Sequence, residues 1–150
     1  MARRPVRQPI EGGYFTIPDD PNEAPRLLGS RCPQCGEHFF PRRVVCARCL
    51  AEGCVDVFLG PRGRIYTWTY VHVPLFAQTD GNAGSYGVAQ VDLPEGPRVQ
   101  GVLLGERDDF RIGMEVELDL ETLGEDEEGN ELVIFRFRPT ADQPGERASA

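Results

Sequence analysis

The sequence predicts a mainly β chain in two parts, a cysteine-tied ribbon followed by a small closed barrel. Three observations carry that expectation. Two Cys-x-x-Cys pairs, Cys32/Cys35 and Cys46/Cys49, stand ten residues apart. Five stretches of alternating apolar and polar residues follow residue 60, separated by gaps too short for long helices. Glycine and proline make up 30 of the 150 residues, a fifth of the chain, against about 12% in average usage, which favours short strands joined by turns.

Composition bounds the function as well. The net charge is −8, and all 16 basic residues are arginine. The charge divides along the chain, with a balance of +3 over residues 1–64 and −11 over residues 65–150. Neither part reads as a polyanion-binding surface, so no nucleic acid is expected as partner. No apolar run approaches the roughly 18 residues of a membrane span, so no membrane association is expected. The start, Met1-Ala2-Arg3-Arg4-Pro5, has no apolar stretch behind its arginines, so a signal peptide is not expected and the expected compartment is cytoplasmic. That setting turns the five cysteines away from disulfides and toward metal.

In chain order, residues 1–26 are rich in Pro, Gly and charge, with only Tyr14, Phe15 and Ile17 as apolar anchors. They read as an arm, irregular or briefly helical, either free or packed on a partner. Residues 27–59 hold the cysteines and form the ribbon. Residues 60–138 form the barrel. Its first strand, Arg64 to Val73, is expected to place Ile65, Thr67, Thr69, Val71 and Val73 on one side and Tyr66, Trp68, Tyr70 and His72 on the other. Pro74 to Ser85 is a long polar loop, a candidate for ligand or partner contact. Strands follow at Tyr86–Leu93, Val99–Leu104, Met114–Leu120 and Leu132–Phe137. Glu95-Gly96-Pro97 makes one hairpin turn and the acidic run 124–130 another. Gly105 to Gly113 leaves room for a short helix at most, and the acids of the fourth strand fall on a solvated face. Residues 139–150 read as a disordered polar tail. Five strands at this spacing suit an OB-type barrel, with an SH3-like barrel as the alternative.

The paired cysteines carry the most specific chemistry. Each Cys-x-x-Cys forms a knuckle whose sulfurs converge, and Gly36 supplies a left-handed position after the second thiolate. Cys32, Cys35, Cys46 and Cys49 together make a rubredoxin-like four-cysteine site for one structural zinc per chain. Iron is the alternative metal. Four thiolates leave no open position, so catalysis at the metal is not expected. Cys54 is left over and reads as a buried, inert thiol. His38 lies inside the ribbon hairpin as a weaker substitute ligand.

No glycine-rich phosphate loop and no His-Glu-x-x-His motif is present, and Ala83-Gly84-Ser85-Tyr86-Gly87 is one residue short of a nucleophile elbow. The chain alone is therefore not expected to be an enzyme. On the first barrel strand, Arg62, Arg64, Trp68, Tyr70 and His72 are candidates for contact with a ligand or partner. Arginine forks suit phosphate and aromatic faces suit an adenine ring, though the same aromatics would equally fill a barrel core.

Taken together, the motifs resemble a family of zinc-ribbon/OB-fold proteins that accompany thiolases and thiolase-like enzymes of acyl-CoA metabolism, as in benzoylsuccinyl-CoA thiolase. The resemblance rests on Arg31-Cys32-Pro33-Gln34-Cys35-Gly36, Phe40-Pro41-Arg42 and Cys46-Ala47-Arg48-Cys49 in the ribbon. In the barrel it rests on Gly60-Pro61-Arg62-Gly63-Arg64-Ile65-Tyr66-Thr67, Val71-His72-Val73-Pro74, Tyr86 to Leu93, Gly101-Val102-Leu103 and Ile112 to Val116. It spans about residues 14–138, and the single proline at Phe40-Pro41-Arg42 is its one departure. The resemblance implies a non-catalytic accessory subunit bound to a thiolase-like catalytic subunit. Such a subunit orders or shields the partner's acyl-CoA site, with a CoA thioester as ligand of the complex. The rival expectations are a nucleic-acid-binding ribbon/barrel module and a free-standing CoA or lipid carrier.

Overall fold

The computed structural model describes residues 5–72 and 85–140. Among the described residues nine strands carry the fold: β1 (Arg7–Pro9), β2 (Leu27–Arg31), β3 (His38–Phe39), β4 (Val55–Leu59), β5 (Arg62–Val71), β6 (Tyr86–Asp92), β7 (Arg98–Leu103), β8 (Glu115–Glu125) and β9 (Glu131–Pro139). Among the described residues the only helical turn is a 3-10 turn at Arg107–Asp109, within the short span the sequence left for one. β3, β2 and β4 make the three-stranded ribbon sheet.

The other sheet closes on itself. β5 pairs with β6, β6 with β7, β7 with β9 in parallel, β9 with β8, and β8 back to β5. A five-stranded barrel in which the third strand meets the fifth in parallel is the OB arrangement. Alternation produced it: on β6 Ala89 and Val91 are buried, on β8 Val116 and Leu118, and on β9 Val133 and Phe137. The core runs without a break from the barrel into the ribbon, since Leu27, Leu59 and Phe15 join Ile65, Val91, Leu103 and Phe137 in one cluster.

Three readings change. From residue 5 on, the described part of the arm is neither helical nor free: β1 lies parallel to β9, and Phe15 is buried and bridges to Leu27. At the other end, Pro139 closes β9 and Thr140 is buried, so the ordered fold passes residue 138; residues 141–150 lie outside the described residues. The loop read at Pro74–Ser85 also falls outside them, except for Ser85. The acids on β8 are not merely solvated. Glu117 and Asp119 sit opposite Arg138 and Arg136 on β9, with ion pairs of 3.0 and 2.8 Å, each worth a few tenths of a kcal/mol to about 1.

The β8–β9 turn is organised by Asp126. Its carboxylate accepts hydrogen bonds from the Asn130 side chain and backbone, the Glu128 backbone and the Gln8 side chain, at 2.7–3.0 Å. These bonds, the Asn130 side chain first, hold the carboxyl below its ordinary value. Because the folded value is depressed, this stabilisation is complete above the unfolded value of about 3.9 and is lost as pH falls through the folded value. In urea titrations, the Asp126→Asn variant should lose less stability than the wild type between about pH 4 and more acidic conditions. Parallel acid limbs for the two proteins would contradict this account.

Candidate metal centre and ligand-facing strand

Each cysteine pair sits on a tight turn closed by its own backbone. Gly36 N–H donates to Cys32 O at 2.9 Å, and Leu50 N–H to Cys46 O at 3.1 Å. Gly36 has φ +78° and Leu50, its counterpart after Cys49, has φ +65°. A leucine there is strained, by roughly 1–2 kcal/mol, and is 76% exposed; the sequence offered no signal for it. Backbone N–H groups of Cys35, Arg48 and Cys49 point at the Cys32 and Cys46 sulfurs at 3.3–3.5 Å.

The four sulfurs lie within 4.8 Å of one another. Cys32 to Cys49 and Cys35 to Cys46 are 3.6 Å apart, far beyond disulfide distance. A tetrahedron of sulfurs about 2.3 Å from a zinc ion has edges of about 3.8 Å, so the cluster has the size of a metal cage. Charge points the same way. Cys32, helped by the Cys35 backbone N–H, is lowered to about 6. Cys49 is pushed up to about 12, the Ala51 N–H being outweighed by burial and the neighbouring thiols. Four thiolates this close need a cation to ionise together. His38 is outside the cluster, in β3 opposite Arg31. Cys54 is half-buried, with its thiol pushed up by burial.

On β5 the structure divides the candidate residues. Ile65 pairs with Val91 but Thr67 with Gln90, so Tyr66 is the extra residue of a β-bulge. One added residue reverses the in-out alternation beyond it. The expected aromatic face is therefore not a single face: Tyr66 lies outside, with the Arg98 guanidinium 3.3 Å over its ring. Trp68 and Tyr70, opposite the buried Ala89 and Gly87, turn inward. They are half-buried, with their rings 5.6 and 6.5 Å from that of Phe110. The expected β-branched face splits too, Ile65 being buried and Thr67 and Thr69 exposed.

Arg62 and Arg64 point outward and share Glu115 at 3.6 and 3.9 Å. His72 is exposed at the strand's end, 5.3 Å from the Tyr70 ring and 3.5 Å from Ser85 Oγ, longer than a working nucleophile–base bond. The strand thus brings Arg62 and Arg64 together on one face and Trp68, Tyr70 and His72 on the other, without joining the two groups.

Comparison with known proteins matches both halves. The family model described as ChsH2, rubredoxin-like zinc ribbon domain, covers residues 23–53, and that described as ChsH2, C-terminal OB-fold domain, covers residues 56–121. A DUF35 domain-containing scaffold protein of Methanothermobacter thermautotrophicus is 36% identical over 118 residues, 75% of this chain and 86% of that protein. The benzoylsuccinyl-CoA thiolase subunit BbsA of Thauera aromatica is 34% identical over 115 residues, 77% of each chain. Among solved structures, a chain of the Ltp2-ChsH2(DUF35) aldolase matches with a TM-score of 0.61 and 31% identity, covering 76% of this chain and 84% of that one. No described helix is long and apolar enough to cross a membrane. With both halves matched in order and relatives aligned over three quarters of its length, the chain belongs to the DUF35 family of ChsH2-type zinc-ribbon/OB-fold proteins.

Proposed function

We propose that this chain is a non-catalytic accessory subunit of a thiolase-type enzyme acting on an acyl-CoA. The observation that carries the reading is the likeness, over about three quarters of the chain, to a thiolase subunit and to scaffold proteins. In this reading Cys32, Cys35, Cys46 and Cys49 hold one structural zinc. The ion ties together a ribbon whose own strands supply little core, and the filled tetrahedron leaves chemistry to the partner. Thiolysis needs a nucleophile, a base and an oxyanion hole in fixed geometry, all of which the catalytic chain provides. This chain contributes position. It orders or shields the partner's acyl-CoA cleft and excludes water, so the rate gain comes from geometry. Arg62 and Arg64, side by side on an exposed face, are the residues proposed to meet a CoA phosphate or the partner's CoA-binding edge. Trp68 and Tyr70, half-buried on the strand's other face, and His72, exposed at its end, are proposed as the aromatic contacts to the CoA or the partner.

The test is reconstitution with a thiolase-like chain that co-purifies with it from its own cells. The isolated chain should show no thiolysis, the isolated partner little, and the mixture full activity in a co-eluting complex. A catalytic chain that alone turned over acyl-CoA at the mixture's rate would overturn the reading.

A further inference from the structure

An open cleft of about 340 Å³ lies where arm, ribbon and barrel meet, lined by Ile10, Tyr14, Phe15, Phe40, Ile134 and Phe135, with Glu11 as its one charged lining residue. Its walls are held edge-to-face: Tyr14 on Phe40 at 6.2 Å, Phe40 on Phe135 at 6.1 Å, and Phe15 on Phe135 at 5.7 Å. Such contacts fix ring positions, so the cleft is preformed. Ile10 on its rim is 51% exposed, an apolar side chain left in water beside an aromatic trough. None of the candidate residues of the metal centre or of β5 lines it.

We infer that this cleft is a docking site for the catalytic subunit, taking one large aliphatic or aromatic side chain of that subunit flanked by a lysine or arginine. The inference rests on the accessory-subunit reading and adds the surface through which the subunit is held. Charge selects the occupant. Glu11, exposed at the mouth and 3.4 Å from the Tyr14 hydroxyl, repels carboxylates and phosphates, so neither a fatty acid nor the CoA phosphates suit this cleft. Five of its eight lining residues belong to the part of the chain with a balance of +3, so the selecting charge at the cleft is Glu11 itself, and it draws a basic flank. A second copy would bring Glu11 toward another acidic chain of net −8. A buried anchor in a preformed aromatic pocket with a charged rim is the form taken by interface hot spots.

The test uses the full chain with its catalytic subunit, affinity being read by titration calorimetry. Ile10→Asp places a second carboxylate on the apolar rim and should weaken the complex at least tenfold. Glu11→Lys, a change at an exposed position, should weaken it several-fold and flatten its salt dependence. Both variants should keep the wild-type melting profile. A photo-crosslinking phenylalanine at position 10 should then capture a peptide of the catalytic chain that carries an apolar side chain next to a lysine or arginine. Wild-type affinity in both variants, or a crosslink to this chain itself or to a second copy, would overturn the docking site while the complex still formed. Absence of any complex would overturn the accessory reading and the docking site together.

Discussion

Replacing Cys46 by serine should abolish metal binding and unfold the ribbon. Cys46 and Cys32 are fully buried, and their sulfurs accept the backbone N–H bonds of the two knuckles. Serine keeps the shape but not the thiolate, and a neutral hydroxyl is a poor zinc ligand, so the three remaining cysteines hold the ion weakly. Structural zinc is worth roughly 10–16 kcal/mol in apparent terms for small finger domains, and whole domains are stable by only about 5–15 kcal/mol. The ribbon's own apolar contribution, chiefly Leu27 and Leu59, cannot replace that. Freshly purified Cys46→Ser protein should contain less than half an equivalent of zinc and lose the chemical-shift dispersion of β2–β4. Cys54→Ser should retain the full equivalent, since Cys54 lies outside the cluster. A Cys46→Ser protein with one zinc per chain and wild-type melting would refute the structural role.

What could be read from the sequence, and what could not, divides by range. The cysteine cluster was legible because each knuckle is local: the short spacing within a pair decides where both sulfurs point. The first half of β8 was legible because it repeats one choice, Val116, Leu118 and Leu120 against Glu115, Glu117 and Asp119. Its extension to Glu125 was not, because residues 121–125 break the alternation and the register shifts there. The bulge at Tyr66 was not, because an aromatic–threonine alternation looks the same whether or not one residue is left unpaired; only the register against Ala89 and Val91 reveals it. β1 was hidden for a similar reason. Arg7-Gln8-Pro9 has no pattern of its own, and its partners Glu131–Val133 lie more than 120 residues away. The aromatic cleft likewise joins Tyr14, Phe40 and Phe135, three residues from three separate segments, none of which marks the others. The ion-pair ladder between β8 and β9 follows once register is known, and only then.

Removing the Phe137 ring should produce the largest loss of stability from a single apolar side chain. Phe137 is fully buried, opposite Leu118 on β8 and Leu103 on β7, at the seam where the barrel closes. Its ring meets that of Phe135 at 6.2 Å, edge to face. Phe137→Ala deletes a full ring from a site braced on both sides by strands and should cost about 3–5 kcal/mol. At roughly 2–4 °C per kcal/mol for a chain of this size, the melting temperature falls by on the order of 10 °C. Gly101, on the neighbouring strand β7, supplies a control. A Cβ there would stand 2.9 Å from the Phe137 ring and 3.4 Å from that of Phe135, so Gly101→Ala alone should cost about 1–3 kcal/mol by overpacking. In the Phe137→Ala background the added methyl enters the space the ring has left. The two costs should then fall short of additivity by about 1 kcal/mol or more, measured by urea denaturation of the four proteins. Strict additivity would mean that the ring and the glycine do not share one packing site. The same removal frees Phe135 to shift, and Phe135 is a wall of the docking cleft. Phe137→Ala should therefore weaken the complex under conditions where the variant remains folded, coupling the barrel's closure to the surface that holds the partner.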